Sequence, residues 1–201
     1  VAALQASIGD SLDAVHAAPE RSGVLILADG YPEKPTPLEA AVFDVAQEKR
    51  LRLYVEFPEQ LPGLTIGPAQ QVTYERGVVT SDVFGPALAP MRIVLVSSCR
   101  YLPVEVPQAH LVAAKVAGVD TAVFGLQDTP AAPLLFDHPQ RDILVATTKL
   151  SGFVRGRYLP SEAWNTIWQT ILQRLDPDGD PLPLRWTPAV RVSYGPDEPL
   201  P

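Results

Sequence analysis

A chain of 201 residues that is 46% hydrophobic and 19% charged is long enough to bury the core of one α/β domain, and it is too apolar for wholesale disorder. Its net charge of −7 argues against nucleic acid or an anionic membrane as partner. No apolar run approaches the roughly 18–20 residues that cross a bilayer, and the single cysteine allows neither an internal disulfide nor a Cys-based zinc or redox motif.

Residues 1–21 are Ala-rich with a weak helical period (Leu4, Ile8, Leu12, Val15), which predicts a helical arm. Gly23 to Ala28, GVLILA, reads as a buried strand that opens into the turn Asp29-Gly30-Tyr31-Pro32. Thr36-Pro37-Leu38-Glu39 predicts a helix start in which Thr36 caps, Pro37 takes the first helical position and Glu39 completes a capping box. That helix should run to about Lys49, before a second strand over Leu51 to Phe57. Strand, helix, strand in this spacing predicts a parallel pair with a right-handed crossover.

Pro58 to Pro68 reads as loop, and Gln71 to Thr80 as a short strand broken by Gly77. Met91, Ile93, Val94, Leu95 and Val96 then form a nearly unbroken apolar run, which predicts a central strand covered on both faces. In parallel α/β sheets, ligands gather beyond the carboxyl ends of such strands, and Cys99 follows this one. Leu111 onward, Thr121 to Leu126, Pro133 to Asp137 and Asp142 to Thr148 read as further strands. The last helix is the plainest: Trp164, Ile167, Trp168, Ile171, Leu172 and Leu175 fall on one stripe, and Asp176-Pro177-Asp178-Gly179 stops it. Asp176, Asp178 and Asp180 are not a calcium loop, since Pro181 and Thr187 stand where glycine and glutamate are needed. The final twenty-five residues hold seven of the 22 prolines, as a tail or linker would, and Trp186 within them suits contact with a partner domain.

A sheet in this order with a cysteine after a central strand resembles the class I glutamine amidotransferase-like domains. The phrases YPEKPTPLEAAVFDVAQEKRLRLYVEFPEQLPGL, VAAKVAGVDTAVFGL and ILVATTKLSGFVRGRYLPSEAW resemble a branch placed N-terminal to glycosidase-like domains in large bacterial proteins. The resemblance covers about Gly23 to Leu175. It implies a three-layer, flavodoxin-like α/β sheet, mostly parallel, with an antiparallel addition over Leu111 to Asp137. It divides the chain into an arm (1–21), the amidotransferase-like domain (22–176) and a linker (177–201) to a following glycosidase-like domain of the same polypeptide. Export to the periplasm or the extracellular space is implied too, and it fits a start at Val1, as a removed leader or a longer parent protein would give.

Active members of that superfamily set the nucleophile in a glycine-flanked elbow, with a His-x-Glu after the last strand supplying base and orienter. Here Cys99 is flanked by Ser97, Ser98, Arg100 and Tyr101, and the later stretch reads Thr147-Thr148-Lys149-Leu150-Ser151. The histidines His16, His110 and His138 have no neighbouring acid in that His-x-Glu arrangement. A thiol without a base is a poor nucleophile, so Cys99 is a weak catalytic candidate and a packing role is preferred. Two loop clusters remain as polar-ligand candidates: Asp29, Tyr31 and Lys34 with Glu56, and the basic, Gly-punctuated stretch Lys149, Arg155, Arg157 and Tyr158 with Arg100. Neither carries a phosphate or dinucleotide motif, and solvated turns or intramolecular ion pairs are the plainer reading. No cofactor or metal is expected, and a carbohydrate or other polar small molecule is the expected ligand class. The function expected is a non-catalytic accessory domain; the alternatives are a Cys99-dependent hydrolase or transferase and a free-standing ligand-binding protein.

Overall fold

The computed structural model describes residues 10–96, 98–155 and 161–181 together with Leu184. In chain order these form α1 (Ser11–Ala17), β1 (Gly23–Ile26), α2 (Ala40–Glu48), β2 (Arg52–Glu56), β3 (Gln70–Gln71), β4 (Arg76–Val79) and β5 (Ile93–Val94). There follow β6 (Arg100–Tyr101), β7 (Leu111–Ala114), β8 (Ala131–Asp137), β9 (Ile143–Ala146) and α3 (Ser161–Leu175), with 3₁₀ turns at Pro86–Leu88 and Leu150–Arg155. Seven strands share one sheet in the order β1-β2-β9-β8-β7-β4-β5, while β3 and β6 pair apart from it.

The α/β class expected from the sequence is what the chain adopts. β1, β2 and β9 are parallel neighbours, and every other pairing in the sheet is antiparallel. Five strands therefore run one way and only β8 and β4 oppose them, but the antiparallel half is larger than the addition expected. Along β2 successive side chains alternate between two cores. Leu53 and Val55 join Val15 of α1 and Val42, Phe43 and Ala46 of α2, whereas Tyr54 joins Trp164, Ile167, Trp168, Ile171 and Leu175 of α3. Helices thus cover both faces of the parallel end. Burial of each large apolar side chain contributes about 1.5–3 kcal/mol, and Tyr54 adds an edge-on ring contact to Trp168 at 5.5 Å. The first helix packs on this core through Val15, with Ala18 just after it.

Four sequence expectations fail for identifiable reasons. The run Met91 to Val96 gives only the two-residue β5, and it lies at the sheet edge, antiparallel to β4. Both of its faces are indeed covered: Val94 and Val96 enter the α3-side core, while Met91 and Ile93 pack with Val116, Ala122 and Leu126 of a loop. Apolar continuity reports burial, and here a loop supplies it. Thr121 to Leu126 is that loop and not a strand; Val123 and Phe124 face solvent, and the Ala122 and Val123 N–H groups bond to Met91 O and Ala117 O. Thr36 does not cap α2, whose N-cap is Glu39 without a side-chain bond. The Thr36 hydroxyl instead donates to Glu56 O at 2.6 Å and its N–H to Phe57 O at 2.7 Å, so a long-range acceptor outcompetes the local cap. Gly77 does not break its strand; it sits inside β4, where a Cβ would come within 2.8 Å of Val94 O.

Candidate functional site

The carboxyl ends of β1, β2 and β9 meet at Glu56. Phe57, the next residue, has φ 47°, a left-handed conformation that turns the chain out of the sheet while its N–H still reaches Ala146 O. Glu56 itself is fully buried. Its carboxylate accepts four hydrogen bonds: Ser151 N–H (2.7 Å) and Tyr54 Oη–H (3.0 Å) on Oε1, and Ser151 Oγ–H (2.8 Å) and Ala28 N–H (3.2 Å) on Oε2. Burial pushes its pKa above the ordinary glutamate value, and the Ser151, Ala28 and Tyr54 donors work against that. A carboxylate offers about four acceptor positions, and all four are taken by the chain itself. The chain's own donors engage the Glu56 carboxylate on both oxygens, so it presents no free acceptor position to a substrate. It is a knot joining the ends of β1, β2 and the 3₁₀ turn after β9.

Beside it lies a hydroxyl and thiol cluster. The Tyr31 ring stands edge-on to Phe57 at 5.0 Å, after a cis Tyr31-Pro32 bond. Its Oη accepts from Arg100 N–H at 2.6 Å and from Thr148 Oγ1–H at 3.3 Å, and donates to Arg100 O at 3.2 Å. Burial raises the Tyr31 pKa, so the phenol stays neutral. The Cys99 thiol, 2% exposed, lies beside Thr148 and is pushed by burial up to about 11. At neutral pH its thiolate fraction is on the order of one in ten thousand. Thr148, the nearest side chain after the last strand, has no basicity to offer the thiol.

The remaining sequence candidates disperse. Asp29 and Lys34 are exposed turn residues; the hydrogen bond in that turn is Lys34 N–H to Gly30 O. Asp29 lines a shallow groove of about 340 Å³ with Asp10, Thr36 and Glu39, away from Glu56's sealed carboxylate. Arg100 contributes its backbone and leaves its side chain in solvent. Lys149 is half-buried, its carbonyl accepting from Gly152 N–H. Arg155 ends the 3₁₀ turn, and its side chain, like Arg157, Tyr158 and Trp186 altogether, lies outside the described residues. Among those residues no group of three or more His, Cys, Asp or Glu side chains is placed to hold a metal, and no helix is long and apolar enough to cross a membrane.

An open groove of about 780 Å³ lies beyond the same end of the sheet, over the end of β7 and the start of β8. Gln70, Glu75, Tyr101 and Glu105 give it polar groups, and Pro103, Pro130 and Pro133 give it rigid apolar walls. Tyr101 Oη donates to Gln70 Oε1 at 2.9 Å. The Glu75 carboxylate accepts from Thr73 and Tyr74 N–H, which holds its pKa below the usual range, with Lys115 3.6 Å away. None of these groove residues is conspicuous in the sequence, because the groove forms only when β3 and β6, about thirty residues apart, come together. Ser151 was likewise missed, standing ninety-five positions from its partner Glu56.

The histidines are also apart from Cys99. His138 is buried and donates to Pro62 O. His110 does have an acid, contrary to its sequence surroundings: Asp137 lies 3.0 Å away, at the opposite end of the sheet.

No protein-family description matches the chain, and no curated protein matches it. Among solved structures, the crystal structure of Agd3, described as a novel carbohydrate deacetylase, is similar over 75% of this chain and 25% of its own length, at 12% identity and a TM-score of 0.43. This chain therefore spans about a quarter of that protein.

Proposed function

We infer that the chain is an accessory domain of the amidotransferase-like, flavodoxin-related type, catalytically silent in its carboxyl-end crevice, within a larger exported and carbohydrate-active bacterial protein. Its role is to support or dock the neighbouring glycosidase-like domain and to offer the Gln70–Tyr101 groove to a polar ligand. The observation that carries this reading is the sealing of the crevice by the chain itself. Every acceptor position of Glu56 is occupied, and Cys99 is buried as a neutral thiol beside Thr148, with no histidine at hand. The groove supports the ligand half of the reading, since an aromatic wall with a few fixed polar groups suits a sugar face.

The test is thiol reactivity and turnover on the folded protein. Labelling of Cys99 by iodoacetamide should stay slow up to about pH 10 and accelerate only when the protein unfolds, and the chain should release no ammonia from glutamine. Rapid labelling with an apparent pKa below that of a free thiol, about 8.5, together with glutamine turnover lost in Cys99→Ser, would overturn the reading and restore the thiol hydrolase.

A further inference from the structure

Three neighbouring strands bring Ser81, His110 and Asp137 to one end of the sheet. Ser81 follows β4, His110 precedes β7, and Asp137 closes β8; because β8, β7 and β4 pair antiparallel, all three stand at the edge opposite Glu56. Ser81 Oγ is 2.9 Å from His110 Nδ1, and His110 Nε2 is 3.0 Å from Asp137 Oδ2. The backbone beside them is fixed by Thr80 N–H to His110 O (2.9 Å), His110 N–H to Leu135 O (2.7 Å) and Thr80 Oγ1–H to Ala109 O (2.6 Å). We propose that Ser81, His110 and Asp137 form a nucleophile, base and orienter that hydrolyse small acyl esters.

The direction of the relay follows from the acceptors. Asp137 as a carboxylate can only accept, so the His110 proton sits on Nε2, and the Nδ1 lone pair is left facing the Ser81 hydroxyl. The two ring nitrogens are exchanged relative to the usual serine hydrolase arrangement, but each role is filled. Arg174 of α3 faces the other carboxylate oxygen, Oδ1, at 3.5 Å, and is itself held by Asp142 at 2.5 Å. That leaves Oδ2 to the imidazole and turns the carboxylate towards it; the Arg174 charge also tempers what Asp137 gives to an imidazolium. These hydrogen bonds and charges hold Asp137 below its ordinary pKa, in keeping with an ionised orienter.

The trio is reachable. The His110 side chain is 18% exposed and Asp137 47%, Ser81 is half-buried, and the three line neither groove described above. An acyl group borne on a larger molecule can approach such an open edge. Just after Ser81, the Asp82 and Val83 N–H groups donate to nothing among the described residues. In the first step Ser81 Oγ bonds to the ester carbonyl carbon while its proton passes to His110 Nδ1. The carbon–alkoxide bond then breaks, and His110 protonates the departing alcohol. Water attacks the acyl-Ser81, its proton goes to His110, and the serine oxygen leaves with that proton, so ester and water become acid and alcohol.

A polar clamp that merely ties three strand ends would show the same distances, so the test reads chemistry. The full chain is given p-nitrophenyl acetate and, separately, a fluorophosphonate. The expected result is release of p-nitrophenol above the buffer rate and a phosphonyl adduct mapped to Ser81 by mass spectrometry. Ser81→Ala should lose the adduct and fall to the buffer rate, and Asp137→Asn should slow turnover at least about tenfold with the circular dichroism spectrum retained. Cys99→Ser should turn over at the wild-type rate. No adduct on Ser81 of the folded wild type, or an unchanged rate in Ser81→Ala, overturns the relay. Turnover lost in Cys99→Ser but kept in Ser81→Ala overturns it and the reading of Cys99 together.

Discussion

At the scale of the residue, Glu56 sets what the carboxyl-end crevice can do. Four donors converge on a carboxylate in a fully buried position, and two of them are backbone N–H groups that have no choice of rotamer. Glu56→Gln replaces one acceptor oxygen with an NH₂. Placed on the Oε2 side, that group can still donate to Ser151 Oγ, but it faces the Ala28 N–H donor to donor; placed on the other side it faces Ser151 N–H. Either way a buried N–H is orphaned, and the variant should lose about 1–3 kcal/mol, read from the urea midpoint. The loss has a pH sign. The folded pKa of Glu56 is raised, so its favourable linkage is fully present below the unfolded glutamate value of 4.5 and is lost as pH rises through the folded value. The gap between wild type and Glu56→Gln should narrow as pH increases, and a gap that widens would show that hydrogen bonds outweigh burial. Ser98 offers a second check, because it holds φ 59° immediately before Cys99 and its side chain is exposed. Ser98→Gly should be neutral or stabilise by about 0.5–1 kcal/mol, since glycine adopts that conformation without the Cβ penalty.

At the scale of the element, β1 packs closely against the end of α3. A Cβ on Gly23 would lie 2.6 Å from Leu175 Cβ and 2.7 Å from Leu175 O, and Arg52 Nε caps the same carbonyl at 2.7 Å. The obstruction is partly backbone, so no rotamer change relieves it, and Gly23→Ala should cost about 1–3 kcal/mol with a lower thermal midpoint. A midpoint within a degree of wild type would mean that α3 slides freely on β1. α3 was legible from its sequence because its stripe has the helical period and its partners lie on one face. β1, β2, β7, β8 and β9 were legible as short apolar runs. What could not be read is position within the sheet: Met91 to Val96 looks central because both faces are buried, yet a loop does the covering at an edge. The same limit hid the site. Thr36 was matched to a local cap while its real acceptor lay twenty positions on, and Ser81, His110 and Asp137 are joined only through β-pairing.

At the scale of the whole molecule, the two ends of the sheet are built from opposite chemistry. The carboxyl end buries a carboxylate among hydroxyls and backbone donors, whereas the other end gathers His110, Asp137, Arg174 and Asp142 at the surface. Acid should therefore act on them in opposite senses. Asp137 is held below the ordinary aspartate value of 3.8, first by its hydrogen bond to His110, so its stabilisation is fully present above that value and is lost as pH falls through the folded one. The carboxylate is nearly half exposed, which limits the term to about 1 kcal/mol or less after solvent screening. Asp137→Asn should therefore lower stability slightly at neutral pH, converge with wild type in strong acid, and converge again at neutral pH in high salt, where the Arg174 and His110 charges are screened. Urea midpoints at three pH values and two salt concentrations decide it. A gap that persists unchanged in acid and salt would assign Asp137's contribution to hydrogen-bond geometry in place of charge. The Arg174 contact would then serve to aim the carboxylate at His110.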